Sequence, residues 1–147
     1  MSVVPDASVV VKWFVREDGH PAALSLLERS GAVVAPDLVF AETANVVWKK
    51  LRRGELTLQQ ANQTCEALPE FFTRVAPTAS LIQDALRLAW RLDHPVYDCL
   101  YLACAEREGA KLVTADQQFA RLLRASGMDR LVLSLEEISS SANAKLD

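Results

Sequence analysis

Short apolar runs and longer amphipathic segments alternate along the whole chain. The apolar runs predict strands at Val3–Val4, Ala32–Ala35, Arg74–Ala76, Lys111–Thr114 and Leu131–Leu135. The segments between them place apolar residues at the spacing of one helix face, which predicts amphipathic helices. Strands this short, separated by helices, pair in parallel and have helices on both faces of the sheet. We therefore expect a doubly wound α/β fold.

Local capping signals divide the chain into these elements. Thr57 with Gln60 forms a capping box that predicts the start of a helix. Gly54 and Gly109 stand where helices are expected to end, since glycine adopts the left-handed backbone of a helix terminus. No linker or repeat interrupts the alternation. We expect one domain over residues 1–138 and a frayed tail over 139–147.

Composition narrows the class of protein. Half of the 147 residues are apolar and the net charge is −3, so the chain can bury a core and is not intrinsically disordered. No apolar run is long enough to span a bilayer, and we expect a soluble, cytoplasmic protein. The three cysteines, at 65, 99 and 104, have neither metal-clip nor redox spacing and are expected to be small buried residues.

Two aspartates directly follow predicted strands. Asp6 comes after the first strand and Asp116 after Lys111–Thr114. Parallel strands end at the same edge of a sheet, where α/β proteins bind ligands at the reversal of strand order. If the two strands are neighbours there, the two carboxylates face each other. The alternative is that each aspartate only caps the following helix.

Two further acids lack an ordinary structural explanation. Asp98 begins a helix that is apolar nearly all round, so its charge needs a cation or hydrogen-bond donors nearby. Glu42 has no basic residue at the positions needed for a helical ion pair. Lys49 lies two turns further along the same side, with Arg52 and Arg53 close by. Carboxylates edged by basic residues suit a phosphodiester substrate.

The chemistry of these four acids favours a hard metal ion. Oxygen ligands without histidine or cysteine suit Mg²⁺ or Mn²⁺, as one or two ions, rather than Zn²⁺. Such an ion screens the carboxylates from one another, polarises a phosphoryl oxygen and activates water. The predicted reaction is therefore hydrolysis of a phosphodiester bond.

Four segments also carry a resemblance to a known family. They are VVPDASVVVKWF (Val3 to Phe14), APDLVFAETANVVW (Ala35 to Trp48), HPVYDCLYLACAE (His94 to Glu106) and LVTADQQF (Leu112 to Phe119). In this order and spacing they closely resemble the PIN-domain family, specifically the VapC-type toxins of bacterial and archaeal toxin–antitoxin pairs. The resemblance extends from about Val3 to Leu135.

The resemblance implies a Mg²⁺- or Mn²⁺-dependent endoribonuclease. It also implies inhibition by a VapB-type antitoxin and a homodimer. By position, the family's acidic quartet corresponds to Asp6, Glu42, Asp98 and Asp116, and two supporting hydroxyls correspond to Ser8 and Thr114. Gln117 and Gln118 follow Asp116 where relatives often carry a basic residue. Arg121 and Arg124 on the next helix are therefore candidate substitutes for RNA contacts.

Other interpretations remain open at this stage. A catalytically silent PIN module that binds RNA or protein would share the same residues. A phospho-acceptor receiver domain would need an acidic pair after the first strand, where Asp6 stands alone. His20 and His94 each precede a proline and are expected to mark helix boundaries rather than to act in catalysis. Asp37 and Asp93 are expected to serve turns or caps.

Overall fold

The computed structural model describes residues 1–144, with side chains described through residue 139. Its strands are β1 Val3–Pro5, β2 Val34–Pro36, β3 Arg74–Ala76, β4 Lys111–Thr114 and β5 Val132–Ser134. Its helices are α1 Ala7–Val10, α2 His20–Arg29, α3 Leu38–Arg52, α4 Leu58–Ala67, α5 Thr78–Leu92, α6 Val96–Glu108, α7 Gln117–Ala125 and α8 Leu135–Ala144. Strands and helices alternate, as predicted.

All strand pairs are parallel. Strand β4 lies between β1 and β5, and β2 pairs with β3. A parallel bridge between Val3 and Val33 joins the two groups, and this gives the order β3-β2-β1-β4-β5. The chain therefore winds outward from β1 in one direction and then in the other. The reversal lies between β1 and β4, where Pro5 is in register with Val113.

Helix α6 forms the centre of the core. Every residue from Cys99 to Ala105 is buried, and the helix contacts β1, β2 and β4. Helix α5 packs along α6, while α2 packs against α8. This confirms the prediction that the helix carrying Asp98 is central. The doubly wound α/β class is also confirmed, with helices flanking a short parallel sheet.

Most boundaries agree with the capping signals. The capping box of Thr57 and Gln60 begins α4, and Gly109, at φ 62°, ends α6. The helix after β1 is short, because α1 ends at Val10 and passes into a 3-10 turn over Val11–Trp13. Helix α8 extends to Ala144, into the segment expected to be frayed, and residues 145–147 lie outside the described residues.

The exposure of the cysteines and the length of the apolar segments test two further expectations. Cys99 and Cys104 are buried as predicted, but Cys65 is exposed on α4, so the prediction for that cysteine was wrong. The spacing of Cys65 from Ala61 and Thr64, which are buried, puts it on the outer side of the helix. Within residues 1–144, none of the helices has the length and apolar character that a membrane span requires.

Candidate active site

The four acids singled out in the sequence line one cleft. The cleft has a volume of about 250 Å³ and lies beside the carboxyl ends of β1 and β4. It is lined by Asp6, Ala7, Ser8, Glu42, Asn45, Val46, Lys49, Asp98 and Asp116. These residues come from the start of α1, the middle of α3, the first turn of α6 and the start of α7. Elements far apart in the sequence thus bring together four carboxylates and one lysine.

Asp6 is a buried cap at the end of β1. Its Oδ1 accepts hydrogen bonds from the backbone amides of Ser8, at 3.0 Å, and Val9, at 3.3 Å, which begins α1. The side chain is also bonded by the Ser8 hydroxyl. Burial raises the pKa of Asp6 from 3.8 to about 6, and the negative charge of Asp98 acts in the same direction. Hydrogen bonds from Ser8 and Thr114 oppose this rise.

Asp116 occupies the equivalent position after β4. Its Oδ1 accepts hydrogen bonds from the amides of Gln118, at 3.0 Å, and Phe119, at 3.1 Å, and so caps α7. At both Asp6 and Asp116 the backbone amides bind only Oδ1. The cap interpretation and the ligand interpretation are therefore compatible, because capping does not occupy Oδ2.

Asp98 is bonded by a side chain instead, and Glu42 lies beside the buried Tyr101. His94 Nε2 lies 2.7 Å from Asp98 Oδ2, and His94 comes four residues earlier, just before α6 begins. Burial raises the pKa of Glu42, and the charge of Asp98 adds to the rise. The buried hydroxyl of Tyr101 lowers it, although this hydroxyl makes no hydrogen bond of standard geometry in the described residues. Burial and the neighbouring carboxylates raise the pKa of Tyr101 far above its usual value.

The two predicted hydroxyl residues connect the ends of β1 and β4. Ser8 Oγ bonds Asp6 and accepts a hydrogen bond from the Ala115 amide at 3.0 Å. Thr114 is fully buried, and its Oγ1 accepts from the Asp116 amide at 3.0 Å. Hydrogen bonding by Thr114, like that by Ser8, also lowers the pKa of Asp6. Both hydroxyls therefore favour the ionised form of Asp6.

Of the five predicted basic contacts, only Lys49 lines the cleft. Arg52 and Arg53 are exposed at the end of α3, and the Arg52 guanidinium lies 5.6 Å from the ring centroid of Trp48. Arg121 is exposed on α7, and Arg124 forms an ion pair with Glu137. The structure therefore brings Lys49 to the acids and leaves the four arginines outside the cleft lining.

The donor chemistry of the cleft fits Mg²⁺ or Mn²⁺. The acids offer oxygen ligands only, and Lys49 is the one cation among the nine lining residues. Within residues 1–144, however, no three carboxylate, imidazole or thiol side chains are grouped closely enough to hold an ion as they stand. A shared ion thus requires the carboxylates to draw together. Burial is the main reason that the pKa of Asp6 and of Glu42 is raised, and the charge of Asp98 adds to the rise, so the ion would also offset the cost of these buried charges.

Sequence reasoning missed two residues that contact the acids. His94 lies at a helix boundary, between α5 and α6, as predicted, but it also contacts Asp98 four residues later, and this spacing is the signal that could have indicated the contact. Tyr101 is buried on α6, one turn after Asp98, and no pattern in the sequence indicated its place beside Glu42. The predictions for Asp37 and Asp93 are confirmed, since Asp37 bonds the Thr78 amide and Asp93 ends α5 with φ 50°.

The fold and the sequence match known proteins. The PIN domain family matches residues 3–124. Ribonuclease VapC3 of Pyrobaculum aerophilum is 37% identical over 122 residues, which cover 82% of this chain and 93% of the relative. A Pyrobaculum aerophilum crystal structure superposes with a TM-score of 0.71 at 19% identity, covering 98% of this chain and 90% of the other.

A second solved structure supports the same fold. Mycobacterium tuberculosis VapC20, described as a toxin that cleaves the sarcin-ricin loop, has a TM-score of 0.62 at 20% identity, covering 81% of this chain and 93% of that one. The family match covers most of the chain, and the VapC3 match covers nearly all of that relative. The chain belongs to the PIN-domain family and is of the VapC type.

Proposed function

We propose that this protein is a divalent-metal-dependent endoribonuclease and the toxin of a toxin–antitoxin pair. The observation that carries the proposal is the convergence of Asp6, Glu42, Asp98 and Asp116 in one cleft at the reversal of strand order. Burial, and to a smaller extent the charge of Asp98, raises the pKa of Asp6 and of Glu42, so a bound cation would favour their ionised forms. VapC3, a relative with 37% identity, is named a ribonuclease.

In this proposal the acidic residues of the cleft hold the metal ion, and Lys49 contacts the RNA substrate. Asp6, Asp98 and Asp116 would hold Mg²⁺ or Mn²⁺, and Glu42 completes the set directly or through water. When bound, the ion neutralises the acids, polarises a phosphoryl oxygen and lowers the pKa of water for attack on phosphorus. Lys49 would contact a substrate phosphate at the cleft edge. Ser8 and Thr114 keep Asp6 oriented by hydrogen bonding.

Replacing a single acid tests this function. Asp98→Asn and Asp6→Asn should each abolish RNA cleavage in Mg²⁺ or Mn²⁺, because the amide keeps the shape of the side chain and removes its charge. Asp84→Asn is a matched control, since Asp84 pairs with Arg87 and Arg107 on the surface outside the cleft lining. Cleavage is followed on gels, and circular dichroism shows that each variant is folded.

The outcomes separate the proposal from its main alternative. Wild-type cleavage by a folded Asp98→Asn or Asp6→Asn variant would contradict the assignment of the acids. A wild-type protein that binds RNA but never cuts it would indicate a silent PIN module. The receiver interpretation is excluded by the family match and by the absence of an acid at the end of β3, which continues into Pro77 and Thr78.

We also propose two protein partners. A VapB-type antitoxin with a basic residue suits the acidic cleft, since Lys49 is the one cation in its lining. A second copy of the chain suits the outer face of α5, where Ile82, Leu86 and Trp90 recur at a spacing of four. Trp90 is 89% exposed. An apolar stripe of this kind, open to water on α5, favours association.

A further inference from the structure

The four acids are not fixed in the same way. Asp6 and Asp116 stand at N-caps, where backbone amides hold their carboxylates. Asp98 lies inside the first turn of α6, after Pro95 at the N-cap, and no backbone amide of the described residues bonds its side chain. The hydrogen bond that reaches Asp98 comes from His94 Nε2 at 2.7 Å. The His94 side chain thus bonds Asp98 in the way that backbone amides bond Asp6 and Asp116.

The imidazole is itself held in place. His94 lies between Asp93, which has a left-handed backbone at φ 50°, and Pro95, whose ring restricts φ. Its backbone amide donates to the Ala89 carbonyl at 3.1 Å, which ties it to the end of α5. Its ring stacks on Phe119, with centroids 4.6 Å apart and planes 20° apart. The donor therefore has a defined position and direction.

The stacking partner connects the imidazole to a second acid. Phe119 is 2% exposed, and its backbone amide bonds Asp116 Oδ1 at 3.1 Å. Asp98 is thus connected to Asp116 by three successive contacts, through the side chain of His94 and then through Phe119. These contacts set the position of the Asp98 carboxylate relative to that of Asp116. His94 is not among the residues that line the cleft, so it acts through Asp98.

We propose that His94 is a positioning residue that orients the Asp98 carboxylate for the divalent ion. A carboxylate only accepts hydrogen bonds, so Nε2 of His94 carries the hydrogen and donates it. The bond ends on Oδ2 and leaves Oδ1 of Asp98 for the ion. Partners of this kind to metal-binding groups typically change affinity 10- to 100-fold when removed. The inference rests on the proposed function, because it takes Asp98 as a ligand.

Two substitutions separate the hydrogen bond from the stacking. His94→Phe keeps a ring over Phe119 and removes the donor, whereas His94→Gln keeps an amide N–H donor and removes the ring. His20→Phe is the matched control, because His20 also precedes a proline and also bonds through a ring nitrogen, to the Lys12 carbonyl at 2.6 Å. Mn²⁺ affinity is measured by calorimetry on the full chain, kcat and KM are measured by RNA cleavage, and melting in EDTA reports folding.

His94→Phe should weaken Mn²⁺ binding by about 10-fold and lower kcat, with KM for RNA unchanged. His94→Gln should recover most of both losses, and His20→Phe should behave as wild type. Wild-type Mn²⁺ affinity in folded His94→Phe would overturn the inference, as would equal losses in His94→Gln and His94→Phe. If the wild type cuts RNA but the His94 variants do not show the expected losses, the role of His94 is refuted and the proposed function stands. If the wild type binds no Mn²⁺, both proposals fall.

Discussion

Asp6 combines a structural task with a cost to stability. It caps α1 through Oδ1, and it is buried beside Asp98. Burial holds its pKa at about 6, against an ordinary value of 3.8. Between these values the unfolded chain releases the Asp6 proton while the folded protein keeps it. The free energy of unfolding therefore falls as pH rises through this window, by about 3 kcal/mol from this group.

Asp6→Asn should remove this part of the pH dependence. Without metal, in EDTA, the wild type is expected to lose stability from pH 4 to pH 7, and the variant is expected to lose less, by about 3 kcal/mol. Asparagine keeps an oxygen that can accept the capping amides. Urea unfolding at each pH measures the difference. Equal slopes for the two proteins would show that Asp6 ionises as readily in the folded state as in the unfolded chain.

At this scale the sequence predicts the acids better than their partners. Asp6 and Asp116 follow strands, and the edge of a parallel sheet places them together, so position along the chain was sufficient. Asp98 was recognised because its charge stands on a buried helix. His94 and Tyr101 were missed because an imidazole or a phenol beside a helix has many ordinary roles. Their roles depend on side-chain directions at Asp98 and Glu42, which only the folded structure supplies.

At the level of elements, Asp37 shows a connection that local signals do not reveal. It stands at the start of α3 but makes no side-chain cap there. Its Oδ1 instead accepts the Thr78 amide at 2.9 Å, at the start of α5, and the Thr78 side chain accepts the Leu38 amide at 3.3 Å. Hydrogen bonding to Thr78 lowers the pKa of Asp37, so ionised Asp37 favours the folded state.

Asp37→Ala should reduce stability by about 1 kcal/mol, the usual loss for a removed cap. Asp37→Asn keeps an acceptor oxygen and should cost less. The stability contributed by the Asp37 charge should be lost as pH falls through its lowered pKa, so Asp37→Asn should converge with the wild type in acid, while Asp37→Ala, which has no acceptor oxygen, should remain less stable. Denaturant unfolding at neutral and acidic pH measures this. RNA cleavage should be unchanged, and a large loss of cleavage would contradict a purely structural role.

The elements that sequence patterns describe well have strong local signals. The capping box of α4 and the glycine at the end of α6 involve residues within one or two turns, so both could be predicted. The segment Val9–Val15, which is apolar except for Lys12, does not reveal that α1 ends at Val10 in a 3-10 turn, where the Trp13 indole donates to the Ala23 carbonyl at 3.1 Å. That contact is tertiary, and helical periodicity does not encode it.

For the whole molecule, the alternation of elements was enough to predict the sheet class and the edge of the sheet at which the four acids meet. The sheet order follows from that alternation only once the outward winding from β1 is known. What pattern analysis does not predict is the outer surface. Helix α5 has one apolar face buried against α6 and another, at Ile82, Leu86 and Trp90, open to water.

Leu86→Lys should convert the proposed homodimer to a monomer. Leu86 lies midway between Ile82 and Trp90, so a two-fold axis there would bring Ile82 of one copy near Trp90 of the other. Losing one buried leucine per copy removes about 3 kcal/mol or more, which weakens association over 100-fold. Light scattering at micromolar concentrations measures it.

Leu58→Lys is the matched control for this surface, because Leu58 is 63% exposed on α4 and Leu86 is 65% exposed on α5. It should leave the dimer intact. A dimer that persists in Leu86→Lys, or a wild type that is monomeric throughout, would contradict the proposed surface.

The double use of Asp116 bears on how such a protein changes over time. Oδ1 caps α7, and Oδ2 is left for the ion of the proposed function. A change of aspartate to asparagine needs only one nucleotide substitution, and it keeps a capping oxygen while removing the charge. Enzymatic activity can therefore be lost in one mutational step with little damage to folding. If the gene of the proposed antitoxin is lost, the toxin can thus be inactivated in a single step, and the folded protein would keep the surfaces proposed for its partners.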